Sequence, residues 1–339
     1  SIRRQRQMCI RDRLYPLKFK PRLKERIWGG NALLTKKGAQ VGHVDKTKRY
    51  GESWDISCVK GDISVAANGM LKGNNLQELI EVYMGDLVGD RIFEKFGLEF
   101  PLLIKTLDCN DVLSVQVHPD DALAAERHNS YGKTEMWYVT SCTPDAFIYI
   151  GFSKADITRE EYLDAVSGGY LPELLNRVPV KPGDAFFIPA GMVHALGKGV
   201  EVVEIQQTSD VTYRIYDWDR VGADGKPREL HTALAVDAID FERRPEECIK
   251  KCKPETNKSV EIVKCRYFTT NLLDVDGDVD KDYAPLDSFV IYMCVGGEVE
   301  LETEGGKEHM SDGDVVLIPA EINDVCISGK ARLLEIYVG

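Results

Sequence analysis

The sequence predicts a mostly β protein with two β-barrels, the first of which carries short helices. Two observations predict this fold class. Many short apolar runs are separated by glycine turns, which is typical of sandwiches and barrels. In addition, a tight turn, an apolar run and a Pro-Ala ending occur in 182–190 and return in 312–320, 130 positions later. A repeat with this long period indicates a duplicated domain rather than a solenoid.

The two copies of the repeat differ at a position that bears on chemistry. Gly183 predicts a tight turn before the first apolar run, because glycine tolerates positive φ. Pro189 ends that run, since proline has no N–H for the ladder, and His194 follows at the mouth of the predicted barrel. The second copy has Asp324 where the first has His194. We therefore expect the chemistry to lie in the first copy.

Composition narrows the class of protein. The 339 residues suffice for two domains, and 43% hydrophobic with 29% charged residues is a globular composition. No apolar run reaches the ~18 residues of a membrane helix. The formal net charge of −12 argues against nucleic acid as a partner. Nine cysteines without a CxxC pair predict a reduced setting, and we expect a cytoplasmic protein, either monomer or homodimer.

Four segments divide the chain. Residues 1–13 carry five arginines and one aspartate and resemble an in-frame translation of a sequencing adapter, so we expect a non-native tail. The alternative is a basic tail or targeting extension. We predict a catalytic metal-binding domain with helical additions in 14–240, a charged linker with two prolines in 241–259, and a degenerate second barrel in 260–339.

Periodicity and capping signals place the elements in order. We expect only strands and turns in 15–55, and no helix in 260–339. Asn75 with Glu78, and Thr158 with Glu161, form capping-box patterns at two helix starts. The predicted helices are 75–84 with a second piece to about 96, 119–127, 158–166 and 230–239. The predicted strands are 101–107, 111–118, 135–140, 146–151 and several within 178–218.

Four polar residues of the first domain form a candidate metal site. Gln116 and His118 share one face of a predicted strand, because side chains alternate with a period of two. Glu135 stands at the entrance of an apolar strand, and His194 supplies a second imidazole. Two imidazoles, a carboxylate and an amide oxygen suit a divalent metal. The alternative, that Gln116 and Glu135 only bond to backbone, stays open from spacing alone.

These motifs occur in an order that resembles a known family. Q-x-H-P at 116–119, K-x-E-x-W at 133–137, P-A-G-x-x-H at 189–194 and S-D-V-T-Y-R at 209–214 are present. Together they resemble class I mannose-6-phosphate isomerase in its short bacterial form, a zinc enzyme of the cupin superfamily. The resemblance runs from about Tyr15 to the C-terminus. It departs from the longer enzymes of the family, which carry a substantial helical insertion, because only short helices are available here.

The resemblance implies roles for particular residues. Gln116, His118, Glu135 and His194 would hold one Zn²⁺ per chain, although zinc, manganese and cobalt all fit this ligand set. The catalytic residues that it implies are Arg214, Lys133 and Glu204.

The implied reaction interconverts mannose 6-phosphate and fructose 6-phosphate through an enediol. It needs a cation for the developing oxyanion and a base that moves a proton between C2 and C1. Glu204, a histidine-held water and Lys105 stay open as the base. Arg214 either binds the phosphate or stabilises the enediol.

Further substrate contacts and two other functions stay open. Lys133 and Lys105 are additional phosphate candidates, and Lys105 alternatively snorkels at a barrel rim. Trp28 and Trp54 either wall the sugar site or fill the core. The competing functions are an Fe²⁺ cupin dioxygenase, which would want a histidine at Gln116, and a non-catalytic sugar-binding cupin.

Overall fold

The computed structural model of the chain describes residues 13–222 and 225–339. The predicted non-native tail lies outside the described residues, except for Arg13. The strands are β1 Leu17–Lys18, β2 Arg22–Gly30, β3 Tyr50–Ile56, β4 Leu102–Cys109, β5 Val115–Val117, β6 Glu135–Cys142, β7 Phe147–Phe152, β8 Leu175–Pro179, β9 Ala185–Ile188, β10 His194–Leu196, β11 Val200–Gln207, β12 Tyr213–Tyr216, β13 Ile249–Lys250, β14 Ser259–Lys264, β15 Thr269–Asp282, β16 Val290–Thr303, β17 Gly306–Ser311, β18 Val315–Ile318 and β19 Asp324–Tyr337. The α-helices are α1 Ala32–Val41, α2 Leu76–Tyr83, α3 Gly85–Val88, α4 Asp90–Phe96, α5 Asp121–His128, α6 Arg159–Gly168, α7 Leu171–Leu174 and α8 Thr232–Ala238, with a 3₁₀ helix at Pro245–Cys248.

The described chain forms two compact units. The central unit contains Arg22–Trp54 and Leu102–Lys251. The C-terminal unit contains Asp55–Pro101 and Cys252–Gly339, together with the described residues up to Pro21. This grouping differs from the predicted domains, which kept all of 14–240 together. The reason is long-range pairing, because β1 pairs with β18 and the backbone of α3 accepts from residues near β16 and β18.

Two sheets build the central unit. A seven-stranded sheet has the order β13-β9-β6-β11-β4-β2-β3, and a five-stranded sheet has the order β12-β5-β10-β7-β8. Their facing apolar side chains form one core, which includes Trp28, Trp137, Ile148 and Phe186. The outer face of the smaller sheet packs against helices α6, α7 and α8. One face of the smaller sheet therefore packs against the larger sheet, and the other is covered by helices.

One seven-stranded sheet builds the core of the C-terminal unit. Its order is β1-β18-β16-β19-β15-β14, with β17 paired to β16. Strands β15, β16 and β19 are each 14 residues long, and both halves of each contribute to the same apolar core. The prediction of a mostly β fold is confirmed, and so is the absence of helices from 260–339, all of which the structure describes.

The local predictions held where the signal was local. Both capping boxes are present, at Asn75 with Glu78 and at Thr158 with Glu161. Helix α1 was missed, since we expected only strands and turns in 15–55. In its first turn the backbone nitrogen of Ala32 donates a hydrogen bond to Oδ2 of Asp108 over 2.9 Å. Asp108 is distant in sequence from α1, so no local pattern predicts this hydrogen bond.

The predicted linker is more structured than its composition indicated. It contains the 3₁₀ helix and strand β13, which pairs with β9. Cys248 is buried in the central core beneath them. A charged segment with two prolines thus still buries Pro245 and Cys248.

Candidate metal centre

The five-stranded sheet aligns three of the predicted site residues in one row. Arg214 on β12 lies opposite Gln116 on β5, which lies opposite His194 on β10. Directly opposed residues in antiparallel strands project to the same face. The neighbouring residues Val115, Val117 and Ala195 point to the helix-covered outer face. The polar row therefore faces the interior between the two sheets.

The seven-stranded sheet contributes a second polar row. Lys105 on β4 lies opposite Glu204 on β11, and Glu204 lies opposite Trp137 on β6. Glu135 begins β6 two residues before Trp137, so the two side chains share the interior face. The carboxylate of Glu135 thus enters the interior beside the core tryptophan.

The turn between β9 and β10 brings the two histidines together. The backbone nitrogen of Gly191 donates to the carbonyl of His118 over 2.9 Å. Gly191 has φ of +90°, a conformation that glycine adopts without steric cost. The turn thereby ties the segment that carries His194 to the segment that carries His118. The rings of the two histidines lie 4.7 Å apart.

Backbone carbonyls fix the orientation of both imidazoles. The Nδ1 of His118 lies 3.2 Å from the carbonyl of Val211, and the Nδ1 of His194 lies 2.8 Å from that of Met192. A carbonyl only accepts, so each Nδ1 carries the proton and each Nε2 presents its lone pair. This is the usual preparation of a histidine for metal binding.

Three ligand atoms converge. One atom each from His118, Glu135 and His194 lies within 4.8 Å of the others. Glu135 Oε2 is 3.5 Å from His118 Nε2, and Oε1 is 3.4 Å from His194 Nε2. All three residues are at most 1% exposed. Oε1 of Glu135 is buried without a hydrogen-bond partner among the described residues, which fits an atom meant for a cation.

Gln116 lies beside this group, but its amide nitrogen rather than its oxygen faces His194. Its Nε2 is 3.4 Å from the Nε2 of His194, so the amide presents its donor to the imidazole lone pair. A half-turn of the amide would present the oxygen instead, and the two ends of an amide differ only by this assignment. The predicted fourth ligand is thus close to the group and has the required reach.

Buried charges surround the three ligand residues. Lys133 donates to Glu135, and its Nζ lies 2.9 Å from His118 Nε2. Glu204 accepts from Lys105 over 2.9 Å and from the indole of Trp137 over 3.0 Å. Lys133 and Lys105 hold the pKa of Glu204 well below its usual range, although burial opposes them.

The pKa values of the ligand residues follow from burial. Desolvation raises the pKa of Glu135 to about 7, with repulsion from Glu204 adding to it and Lys133 opposing it. Desolvation also lowers the pKa of His194 to about 4 and that of His118 well below its usual range, where Lys133 contributes too. Both imidazoles are therefore neutral at physiological pH, as ligands must be.

Arg214 lies at the far end of the polar row. Its Nη1 donates to the carbonyl of Glu229, while its buried Nε has no hydrogen-bond partner among the described residues. Burial and the cations Arg228 and Arg220 lower its pKa. These two arginines, which both bind Asp217, were not predicted as site residues. The available signal was the high density of charge in 214–228, where seven of the fifteen residues are charged.

The two remaining candidates differ in position. Lys105 is 6% exposed and paired with Glu204, so it does not snorkel at a rim. Trp28 is 4% exposed and packs in the apolar core of the central unit. Core packing, the alternative that the sequence left open, accounts for Trp28.

The C-terminal unit carries the second copy without the ligands. Ile188 of the first copy lies opposite Glu135, and Ile318 of the second lies opposite Val290. Asp324 begins β19 on the exposed surface. Among the residues that the structure describes, His118, Glu135 and His194 form the one group with this ligand geometry.

The fold and the site together define a class. Paired antiparallel sheets that gather two neutral imidazoles and a buried carboxylate make this a β protein with a candidate metal centre. Comparison with known proteins specifies the family. Residues 16–138 match the model "Phosphomannose isomerase type I, catalytic domain", and 258–338 match "Mannose-6-phosphate isomerase, cupin domain".

Relatives and solved structures agree with these models. The chain is 38% identical to mannose-6-phosphate isomerase ManA of Bacillus subtilis over 94% of this chain and 98% of that protein. It is 33% identical to the mannose-6-phosphate isomerase of Streptococcus mutans over 94% and 97%. A crystal structure of the Bacillus subtilis isomerase superposes with a TM-score of 0.82, at 33% identity over 95% and 99% of the two chains. The chain belongs to the type I mannose-6-phosphate isomerase family.

The described residues contain no helix that is long and apolar enough to cross a membrane.

Proposed function

We propose that the chain interconverts mannose 6-phosphate and fructose 6-phosphate with one zinc ion per chain. The observation that carries the proposal is the convergence of His118, Glu135 and His194, whose ligand atoms lie within 4.8 Å of one another. Lys133 contacts that group, and the paired Lys105 and Glu204 lie next to Lys133. Arg214 lies in the same row as His194. The family relation supports the same reaction. The predicted cytoplasmic location and the choice between monomer and homodimer stay proposals.

The residues present fit a divalent metal. His118, Glu135 and His194 would hold it, with Gln116 as the fourth ligand once its amide oxygen faces the group. When bound, zinc supplies a Lewis acid that polarises the substrate carbonyl and offsets the charge of the enediol. Neutral imidazoles, a buried carboxylate and an amide oxygen match its preferences.

We assign the proton transfer to the pair of Glu204 and Lys105. Glu204 is kept ionised by two lysines, so it has a free site for the proton from C2, although the same lysines weaken it as a base. Lys105 is 2.9 Å from Glu204 Oε1 and can donate to the enediol oxygen or stabilise its charge. Lys105 and Glu204 are 6% and 3% exposed, and this burial limits exchange of the proton with water before its return to C1.

We assign the phosphate to Arg214. The arginine lies two strands from His194 in one row, a separation of about 10 Å at ~4.8 Å per strand. A hexose 6-phosphate also carries its phosphate at the opposite end of the molecule from C1 and C2. The unpartnered Nε and the neighbouring Arg228 make this end of the row cationic.

A coupled assay tests the proposal. The metal-replete protein should form fructose 6-phosphate from mannose 6-phosphate, a chelator should abolish the activity, and zinc should restore it. An inactive metal-replete sample would refute the function. Stoichiometric iron with oxygen uptake would favour the dioxygenase, and binding of mannose 6-phosphate without turnover would favour the sugar-binding cupin.

A further inference from the structure

Glu52 on β3 is a half-buried carboxylate that the proposed mechanism does not use. Its two oxygens accept from Nε and Nη2 of Arg26 over 2.9 and 3.0 Å. Its Oε2 also accepts from the indole Nε1 of Trp54 over 2.7 Å. The side chain is 12% exposed. Three donors thus hold a full negative charge at one place on the edge of the seven-stranded sheet.

Lys105 links this carboxylate to the candidate site. Its ammonium is 2.9 Å from Glu204 Oε1 and 5.3 Å from the ring centre of Trp54, the indole that also binds Glu52. Burial by itself would lower the pKa of Lys105, but Glu204 and Glu52 raise it, so the ammonium persists. In return, Lys105 and then Arg26 lower the pKa of Glu52, against its own burial.

The Trp54 indole and the Glu52 carboxylate that it binds form a second place of attraction for the Lys105 ammonium, beside Glu204. The same oxygen of Glu204 is also 3.8 Å from the ammonium of Lys133, so two like charges share one acceptor. Lysine has a long side chain with several rotatable bonds, and a single ion pair leaves its ammonium many arrangements. A fixed carboxylate on a different strand restricts those arrangements and balances the second positive charge.

We propose that Glu52 is a positioning residue for the isomerisation, which with Trp54 holds the Lys105 ammonium against Glu204. The inference rests on the proposed function, because Lys105 and Glu204 are there assigned the proton transfer. Arg26 holds the ionised Glu52 in place from its more exposed side, where the arginine side chain is 33% exposed. Glu52 thereby acts through Lys105 without touching the substrate.

The test is Glu52→Gln in the full-length, zinc-loaded protein. The amide keeps an acceptor for Trp54 but removes the charge. We expect kcat to fall about tenfold or more and KM to change less than about threefold, since a transition-state contact is misplaced. The alkaline limb of the kcat profile should move to lower pH, because Lys105 then faces only Glu204 and Glu135 as carboxylates, with Lys133 as a repelling cation. Zinc content should stay at the wild-type value.

Two comparisons make the test specific. Glu201→Gln is the matched control, because Glu201 is also buried and paired, with Lys36 at 2.5 Å. It should leave kcat and its pH profile unchanged. In a Lys105→Gln background, Glu52→Gln should have almost no further effect, since coupled residues are not additive. Trp54→Phe, which deletes the indole donor, should give a smaller loss in the same direction and serves if Glu52→Gln does not fold.

The outcomes separate the two proposals. An active wild type whose Glu52→Gln variant keeps kcat and pH profile overturns the role of Glu52 alone. Equal effects of Glu52→Gln with and without Lys105 overturn it as well. A metal-replete wild type that forms no fructose 6-phosphate overturns the proposed function, and the positioning role with it.

Discussion

At the scale of single residues, the candidate site depends on where protons and lone pairs lie. His118 and His194 present Nε2 to a common point because carbonyls of Val211 and Met192 accept from Nδ1. Glu135 completes the group with an oxygen that has no hydrogen-bond partner among the described residues. The residue types were predictable from the motifs. The tautomers were not, because the carbonyl of Val211 is distant in sequence from His118, and the nearby carbonyl of Met192 faces His194 only in the folded turn.

His194→Ala should remove the metal. One of three converging ligands is lost, so metal content should drop from about one to near zero per chain, and turnover should fall by at least about 100-fold. Metal analysis after dialysis measures the first effect, and the coupled assay the second. His309→Ala is the control, because this histidine is exposed in the C-terminal unit and should change neither. Full retention of metal in His194→Ala would contradict the assigned ligand set.

Arg214→Lys should raise KM for mannose 6-phosphate by about tenfold while changing kcat less. Lysine keeps the charge but loses the planar fork that binds phosphate with two donors. Initial-rate kinetics over a range of substrate concentrations measure both constants. A large fall in kcat at unchanged KM would instead assign Arg214 to the enediol.

At the scale of elements, the turn between β9 and β10 decides whether the histidines meet. Gly191 donates to the carbonyl of His118, accepts from the backbone of Asp240 over 3.0 Å, and holds φ at +90°. The Pro-Ala-Gly sequence predicts such a turn. It does not predict the two distant partners, His118 and Asp240, whose hydrogen bonds fix the position of the turn.

Gly191→Ala should destabilise the protein by about 1–2 kcal/mol and lower metal affinity. The positive φ is strained for alanine, and the added Cβ would meet Asp240 Cβ at 3.0 Å. Thermal unfolding and zinc titration measure the two effects. Gly169→Ala is the matched control, because Gly169 has φ of +74° with nothing within 4 Å of its Cβ. It should cost only the backbone strain and leave zinc affinity intact; an equal loss of zinc affinity would count against this role of Gly191.

At the scale of the whole molecule, the two copies of the repeat differ in chemistry but share structural features. Glu204 lies opposite Trp137, and Glu335 lies opposite Tyr292 at the corresponding place in the second copy. Glu335 is 1% exposed and accepts from Asn271, Tyr283 and Lys281. The second copy thus keeps a buried, paired carboxylate although it has no ligand set. We infer that this position stabilises the fold in both copies.

Glu335→Gln should remove part of the acid sensitivity of stability. Burial alone would raise the pKa of Glu335, but Lys281 and Asn271 hold it below its usual value. A carboxyl group whose pKa is lowered by folding stabilises the protein above its unfolded pKa of about 4.3. This stabilisation is lost as the pH falls from that value through the folded pKa. The wild type should therefore lose Tm below about pH 4.5, and the variant should lose less over the same range.

At neutral pH the variant should be less stable by about 2 kcal/mol, because Lys281 loses its partner. Asp276→Asn is the control, since its pair with Lys330 is exposed and should contribute little to stability. Parallel Tm curves of wild type and Glu335→Gln across acidic pH would contradict the prediction.

Much of the fold and the site followed from local patterns. Turn residues, capping boxes and alternating strands depend on neighbours in sequence, so Gly183, Asn75 and the face shared by Gln116 and His118 were predictable. Helix α1 was missed because its capping acceptor is Asp108. The arginines around Asp217 were missed because only the fold shows that they adjoin Arg214.

By itself the sequence determined the class of fold, the internal repeat, the identities of the metal-binding candidates and the family resemblance. Those properties depend on residue type and on spacing along the chain. The tertiary structure decided which charges are buried together, how each imidazole is oriented, and which residues act through others, as Glu52 does through Lys105. Such properties depend on distances in space between strands that are far apart in sequence, and those distances exist only once the sheets have closed around the core.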